Sequence, residues 1–85
     1  MSQIRKSSRS VCANLAEAYK RRKYKPYFLA KLTDSDTENT ETEIWIDFSK
    51  DCQYIETETY ERWFNLNKEV SNLIHHMINN PDKFL

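Results

Sequence analysis

The 85-residue chain contains no glycine at all, and this absence limits the folds that it can adopt. Glycine occupies most of the positive-φ positions that tight hairpin turns and β-bulges need, and glycine-rich loops hold phosphates in common nucleotide-binding motifs. Proline is also rare, since only Pro26 and Pro81 are present. The sequence therefore predicts an all-α fold and argues against a phosphate-binding loop.

A chain of this length forms one small domain, here residues 1–85. A single core of that size supplies only a few kcal/mol of stability, and oligomerisation often adds to it. No run of apolar residues approaches the roughly 18 to 20 that span a membrane, and the start of the chain lacks the apolar core of a signal peptide. We therefore expect a cytoplasmic protein without a membrane partner. Cys12 and Cys52 lie far apart and outside any C-x-x-C motif, so we expect half-buried free thiols.

Charge is distributed unevenly along the chain, although the chain is neutral overall. Residues 1–31 carry nine basic residues and one acidic residue, a net charge of +8, and residues 32–85 carry four basic and twelve acidic residues, a net charge of −8. Such a chain presents a basic and an acidic face, which favours anion binding by the first or head-to-tail association between the two. Overall neutrality argues against a dedicated high-affinity nucleic-acid-binding protein.

The spacing of apolar residues predicts an up-and-down bundle of three helices, over about residues 2–22, 26–52 and 57–80. Pro26 separates the first two, because helical geometry is disfavoured at the residue before a proline and proline itself suits the first helical turn. The inward stripe of the first helix consists of Ile4, Ser8, Val11, Leu15 and Ala18.

The inward stripes of the other two helices differ in character. That of the second helix is bulky at its ends and polar in its middle, and it consists of Phe28, Leu29, Leu32, Ser35, Asn39, Thr42, Ile46 and Ser49. That of the third helix is the strongest amphipathic pattern in the chain, and it consists of Tyr60, Trp63, Leu66 or Asn67, Val70, Leu73 or Ile74, and Met77.

The sequence offers no arrangement suited to catalysis or metal binding. No Ser-His-Asp or Cys-His set is evident for nucleophilic catalysis. His75 and His76 are adjacent, so on a helix they point about 100° apart and do not chelate one metal together. The acidic residues of the second helix lack the Glu-x-x-His motif of helical metal sites, and we expect them to form a solvated acidic face. We predict a non-enzymatic protein without metal or cofactor.

Four motifs in order cover nearly the whole chain, namely "VCANLAEAYKRR", "SDTENTETEIWIDF", "CQYIETETYERW" and "MINNPDKF". They resemble the four-helix-bundle proteins first noticed as open reading frames inside intervening sequences of bacterial 23S ribosomal RNA genes. In that family the first motif usually reads Asn-[Ile/Leu]-Ala-Glu-Gly-Tyr followed by an arginine pair. Ala18 replaces the glycine here, and the matching residues are Asn14, Leu15, Ala16, Glu17, Tyr19, Arg21 and Arg22.

We interpret six residues of these motifs as structural, namely Asn14, Glu17, Tyr19, Trp45, Tyr60 and Trp63. Asn14 and Glu17 lie beside the apolar stripe of the first helix. A polar group in that position must be hydrogen-bonded to be tolerated, and it can fix the register of packed helices. We therefore expect this pair to bond across the bundle to Thr40 or Thr42, or to Arg21.

Members of the family are typically longer and carry an N-terminal helix ahead of the segment that corresponds to residues 2–11 here. The resemblance therefore implies that one helix of the four is missing, and three amphipathic helices would leave an exposed apolar groove. Either the chain is a truncated or internally initiated product, or another copy fills the groove. We favour self-association, because an uncovered groove leaves a small monomer marginally stable.

The resemblance implies no enzymatic activity. One branch of the family, the accessory proteins of diversity-generating retroelements, forms basic pentameric barrels that bind nucleic acid and a reverse transcriptase. The candidate phosphate contacts in this chain are Arg5, Arg9, Lys20, Arg21, Arg22, Lys23 and Lys25, and the aromatic rings that would stack on unpaired bases are Tyr19, Tyr24 and Tyr27. The alternative is that these cations only complement the dipole of a helix C-terminus and stay solvated.

Two functional hypotheses follow from the sequence. The first is a homo-oligomeric scaffold or protein-interaction module whose acidic and basic faces complement each other. The second is an RNA-binding accessory protein that uses the basic cluster around residues 20–25.

Overall fold

The computed structural model describes residues 2–85 of the chain. It contains three long helices, which we number α1 (Ser2–Lys20), α2 (Lys25–Asp51) and α3 (Thr57–Asn79), and a short 3₁₀ turn at Pro81–Lys83. No strand occurs among the residues that the structure describes. The predicted all-α fold with three helices is confirmed.

The second helix holds the other two in place. α1 and α3 each pack along α2, and in the described part of the chain they make no comparable contact with each other. Short connections make consecutive helices antiparallel. The Cα atoms extend over 44 × 20 × 13 Å, so the molecule is a thin layer of helices with α2 in the middle.

The first helix ends at Lys20, two residues before the predicted boundary at residue 22. The Arg21 N–H donates to the backbone carbonyls of both Glu17 and Ala18, each at 3.2 Å. A hydrogen bond to the third residue back is typical of a helix that tightens before its end. The first helix therefore ends two residues before its predicted end at about residue 22.

α1 and α3 begin at residues 2 and 57 as predicted, and the other three helix boundaries differ from the predicted ones by one residue. α2 begins at Lys25, with Tyr24 as its N-cap residue and Pro26 in its first turn. Proline is tolerated in the first turn because N–H groups there have no partner within the helix. α2 then ends at Asp51, and α3 ends at Asn79.

The turn after α2 has a backbone conformation that glycine normally occupies. Gln53 has a φ angle of 60°. Its N–H donates to the Lys50 carbonyl at 2.9 Å, and the Tyr54 N–H donates to the Ser49 carbonyl at 2.8 Å. This pair of bonds is a Schellman motif, which satisfies the last carbonyls of a helix. A residue with a Cβ atom costs on the order of 1 kcal/mol in this conformation.

The buried side of α2 is the predicted one, except that Leu29 is only half-buried. Its buried residues are Phe28, Leu32, Ser35, Asn39, Thr42, Ile46 and Ser49. Near the start of the helix, Phe28 and Leu32 pack with Ala18 of α1 to form the apolar core. The middle of the helix is small and polar, which allows its neighbours to approach closely.

Hydroxyl groups join α1 to α2 in this polar region. The Ser35 Oγ donates to the Val11 carbonyl at 2.9 Å, and the Thr42 Oγ1 donates to the Ser7 Oγ at 2.8 Å. Both bonds are buried, where a hydrogen bond is not weakened by competing water. They fix the position of α1 along α2.

An asparagine pair joins α2 to α3 at the same level. The Asn39 Nδ2 donates to the Asn67 carbonyl at 3.3 Å, and the Asn67 Nδ2 donates to the carbonyl and to the Oδ1 of Asn39, each at 3.1 Å. The Oδ1 of Asn67 is buried and has no partner among the described residues. A buried acceptor without a partner costs about 1–3 kcal/mol. The pair therefore fixes the register of α3 along α2 and adds little net stability.

The buried face of α1 is turned slightly from the predicted one. Ser7 is buried and bonded to α2, whereas the predicted Ser8 is exposed. The two serines have the same size and polarity, so periodicity alone does not distinguish them. On α3 the sequence left two positions open, and the buried members are Asn67 and Ile74.

Replacing Gln53 with glycine is expected to raise the free energy of unfolding by about 0.5–1 kcal/mol, because glycine adopts positive φ without strain. Part of the gain is offset by the greater entropy of glycine in the unfolded chain. Urea unfolding followed by circular dichroism measures the change. Gln53→Ala, which keeps the Cβ atom, is the matched control and should leave the stability near that of the original chain. A glycine variant no more stable than the alanine variant would contradict the strain.

Candidate interaction surfaces

A groove of about 380 Å³ opens between α1 and α3, and α2 forms its floor. The floor is lined by Asn39, Thr42 and Ile46. The α1 wall includes Ile4, Val11, Cys12 and Leu15, and the α3 wall includes Trp63, Leu66, Val70 and Leu73. The groove expected from three amphipathic helices is therefore present.

The groove leaves large apolar side chains in contact with water. Leu66 is 54% exposed and Leu73 is 56% exposed. Each would gain about 25 cal/mol for every Å² of apolar surface that a partner covered. Contiguous apolar surface of this kind normally marks an interaction site.

A second apolar surface lies on the opposite side of α2, and sequence analysis missed it. Ile44 is 58% exposed and Phe48 is 48% exposed, and the Phe48 ring packs edge-on against Trp45 with ring centroids 5.8 Å apart. Ile44 and Phe48 stand two positions on either side of Ile46 on the groove floor. At about 100° per residue, each points roughly 160° away from the floor. The spacing of four between two large apolar residues, out of phase with the buried stripe, was the available signal.

The predicted phosphate-binding residues fall into two separate groups. Arg5 and Arg9 are exposed near the start of α1, and the other five cluster at its end and in the turn to α2. Lys20 comes eleven positions after Arg9, which corresponds to about 16 Å along a helix. The structure therefore does not bring all seven cations onto one compact site.

Three cations of the second group already have partners within the chain. The Arg22 guanidinium lies 4.2 Å from the centre of the Tyr19 ring and donates to the Tyr19 carbonyl at 3.0 Å. The Arg21 guanidinium lies 5.2 Å from the centre of the Tyr27 ring. Lys25 forms a salt bridge of 3.3 Å with Asp82 in the 3₁₀ turn.

Lys20 and Lys23 differ from their neighbours. Both side chains are exposed, and neither takes part in a salt bridge or a cation–π contact among the described residues. Tyr19 and Tyr24 are exposed beside them. If this end of the molecule contacts an anion, these two lysines are the cations free to do so.

The two polar residues of the first motif do not bond as expected. The Asn14 Nδ2 donates to the Ser10 carbonyl of its own helix at 2.9 Å. Glu17 does reach α2, but its partners are the Lys31 ammonium at 3.2 Å and the Tyr27 hydroxyl at 3.1 Å. The predicted bonds to Thr40, Thr42 or Arg21 are wrong, because Glu17 lies on the outer edge of the contact between α1 and α2.

Lys31 and the Tyr27 hydroxyl lower the pKa of Glu17 below its usual value. The same contact with Glu17 raises the pKa of Lys31 above its usual value. Both shifts favour the charged forms, so the pair links α1 to α2 across the neutral pH range.

The aromatic residues interpreted as structural occupy different surroundings. Trp63 lies in the groove wall. The Tyr60 hydroxyl donates to the Asp47 carboxylate at 2.9 Å, and this bond raises the pKa of Tyr60 above its usual value. The Lys50 ammonium lies 4.4 Å from the centre of the Tyr60 ring. Tyr60 therefore ties the start of α3 to the end of α2.

The histidines and cysteines take part in separate contacts. The His75 Nε2 lies 2.9 Å from the Asp36 Oδ1, whereas the His76 ring packs edge-on against Phe84. Cys12 and Cys52 are free thiols, and both are exposed, so the expectation of half-buried thiols is wrong. Within residues 2–85 no group of three or more histidine, cysteine, aspartate or glutamate side chains is placed to hold a metal ion.

Glu38 lies in a shallow pocket on the side of the α1–α2 contact away from the groove, beside Glu41 and Lys6. The pKa of Glu38 is raised above its usual value. Partial burial of the carboxyl group is the larger cause, and repulsion from Glu41 is the next. The folded state therefore binds the Glu38 proton more tightly than the unfolded state does, and stability falls as pH rises above about 4.5 through the raised pKa.

Glu38→Gln is therefore expected to make the chain more stable than the original at pH 7 and to lose this advantage at pH 3.5, where Glu38 is protonated in both states. Urea unfolding at the two pH values, at one protein concentration, measures the difference. Glu69→Gln, which removes an exposed carboxylate on α3, controls for the change in net charge. An equal effect of Glu38→Gln on stability at both pH values would contradict a raised pKa of Glu38 in the folded state.

No helix in the described part of the chain is both long enough and apolar enough to cross a membrane. No curated protein and no solved structure matches the chain. One family does match, and the matched residues, 1–76, take in all of α1 and α2 and most of α3. The chain therefore belongs to the family of 23S rRNA-intervening sequence proteins.

Proposed function

We propose that this protein is a non-enzymatic scaffold that assembles with copies of itself, and that the groove between α1 and α3 is the surface through which it assembles. The observation that carries this proposal is the exposure of Leu66 and Leu73 on a wall of the groove. A helix laid between α1 and α3 would complete a four-helix bundle and cover both side chains.

The thinness of the molecule supports self-association. The Cα atoms extend only 13 Å in the shortest direction, and among residues 2–85 only α2 has a long helix packed on each of two sides. A domain of this size buries a smaller fraction of its surface than a larger one does. Covering the groove adds buried apolar area without a longer chain.

The distribution of charge supports a second copy as the partner. The opposite net charges of residues 1–31 and 32–85 let the basic part of one copy face the acidic part of another. Such complementarity raises the rate of association and selects the partner.

The mass in solution tests the proposal. We expect light scattering after size-exclusion chromatography to give a multiple of the 10.3 kDa chain mass that persists at high salt, because burial of apolar groove surface is not screened by ions. Leu66→Glu with Leu73→Glu should reduce the mass to that of one chain while helicity is kept, since both side chains are exposed within the monomer.

The matched control places the same two charges outside the groove. Tyr54→Glu with Leu85→Glu replaces two exposed residues, and we expect it to keep the original mass. A single-chain mass for the unmodified protein at every concentration would overturn the proposal. So would an unchanged mass for the groove variant.

RNA binding is the second candidate function, and the specific observation in its favour is the pair of unpartnered lysines, Lys20 and Lys23, beside exposed tyrosines. Lysines of this kind contact phosphates, while tyrosine rings stack on unpaired bases. Within the cluster around residues 20–25, Arg21, Arg22 and Lys25 have partners in the chain, which leaves these two lysines as its free cations.

Lys20→Ala with Lys23→Ala is expected to weaken binding of a 20-nucleotide unstructured RNA and to reduce the slope of log K against log salt by about 1.4, because two phosphate contacts are lost. Fluorescence anisotropy at several salt concentrations measures both effects. Lys50→Ala with Lys68→Ala removes the same charge elsewhere and is the control. Equal losses in the two variants, or no binding of RNA at low salt, would contradict this function.

A further inference from the structure

We propose that the groove of one copy receives the outer face of α2 from a second copy, centred on Ile44 and Phe48. This inference rests on the proposed function and specifies the partner surface. We call the Ile44–Phe48 face of α2 the ridge. The assembly is then head-to-tail, with the ridge of each copy in the groove of the next.

The arrangement of three helices produces both surfaces. Because α1 and α3 pack along α2 and not comparably on each other, α2 lies at the bottom of the groove on one side of the layer. On the other side the same helix is uncovered, with Ile44 and Phe48 exposed. Because α2 is recessed on one side of the layer and uncovered on the other, the outer face of α2 from one copy can dock in the groove of the next.

The two surfaces match in polarity. The ridge presents two large apolar side chains, and Phe48 is held in place by its edge-on contact with Trp45. The groove presents apolar walls, which Leu66 and Leu73 extend to its rim. Seating the ridge covers the exposed apolar side chains of both surfaces in one contact, whereas a groove-to-groove dimer would leave Ile44 and Phe48 in water.

The two surfaces also match in charge. Glu41 and Asp51 are exposed on the outer side of α2, near Ile44 and Phe48. Arg5 and Arg9 are exposed on α1, and each lies about 100° around the helix from the groove-lining residue that precedes it, Ile4 or Ser8. None of the four forms a salt bridge within the described part of the chain. A seated ridge brings the acidic residues of one copy toward the basic rim of the other.

The symmetry of the assembly follows from the difference between the two surfaces. A contact between unlike surfaces leaves one groove and one ridge free after each pairing, so the assembly grows until it closes as a ring or continues as an open chain. At each junction the inserted α2 and the three helices of the receiving copy make a four-helix bundle. A mass that stays at two chains at every concentration would overturn the inference.

Two variants, each with one disabled surface, test the inference directly. Ile44→Glu with Phe48→Glu disables the ridge and leaves the groove intact, while Leu66→Glu with Leu73→Glu disables the groove and leaves the ridge intact. Each alone should have the mass of one chain. Mixed in equal amounts, they should form a complex of two chains and no larger species, because each contributes its one intact surface.

The outcomes separate this inference from the proposed function. Suppose that the groove variant is a monomer and that the ridge variant assembles like the original. The groove is then an assembly surface, but the ridge does not occupy it. That result would overturn this inference and leave the proposed function standing. If the original protein is itself a single chain, both fail. Circular dichroism checks that each variant is helical, and Ile44→Ser with Phe48→Ser replaces the ridge variant if the glutamates unfold it.

A charge exchange provides an independent measurement. Arg5→Glu with Arg9→Glu should lower the association constant at low salt by about tenfold or more. Adding Glu41→Arg with Asp51→Arg in the same chain should restore the association constant. The same exchange made with Glu58→Arg and Glu69→Arg on α3 is the control and should not restore assembly. Restoration by both pairs, or by neither, would contradict the docking of the ridge beside the α1 rim.

Discussion

The polar middle of α2 forms the buried hydrogen bonds that align both α1 and α3 with it. Ser35 and Thr42 hydrogen-bond to α1, and Asn39 forms a reciprocal amide pair with α3. Small polar side chains bring the neighbouring backbones close, but they contribute little apolar area. The apolar cluster around Phe28 and Leu32 lies near one end of the bundle, and Val11, Ile46 and Ile74 are buried elsewhere along it. The polar middle of the bundle aligns the helices. The groove above it exposes the apolar surface that a partner could still bury.

The predictable part of the fold is the part with a continuous periodic pattern. The buried stripe of α2 follows from spacings of three and four over its whole length, even through a segment of threonine and acidic residues. On α1 the pattern does not distinguish Ser7 from Ser8, and only the Thr42 hydroxyl on α2 selects Ser7. On α3 the choice of Asn67 over Leu66 depends on Asn39 opposite it. In both cases a residue distant in sequence determines which of two neighbouring residues is buried. Local periodicity contains no information about that distant residue.

The candidate surfaces show the same division. The groove follows from counting amphipathic helices, and so it was predicted. The basic cluster was predicted as one surface, but three of its cations contact aromatic rings, a carbonyl and a carboxylate within the chain, and two others lie a long way along α1. These contacts depend on where Tyr27 and Asp82 lie after folding, which composition does not reveal. The ridge was missed because Ile44 and Phe48 lie in one apolar run with Trp45 and the buried Ile46, and single exposed apolar side chains are common on protein surfaces.

The buried polar groups among the described residues are all hydroxyls and carboxamides, from Ser7, Ser35, Asn39, Thr42, Ser49 and Asn67. None of these groups changes its charge between acid and alkaline conditions. The interior of the bundle is therefore insensitive to protons, and titration acts only at the surface, through contacts such as that between Glu17 and Lys31. A change of pH therefore acts on contacts at the edges of the bundle, while the buried hydrogen bonds that align its helices involve no group that gains or loses a charge.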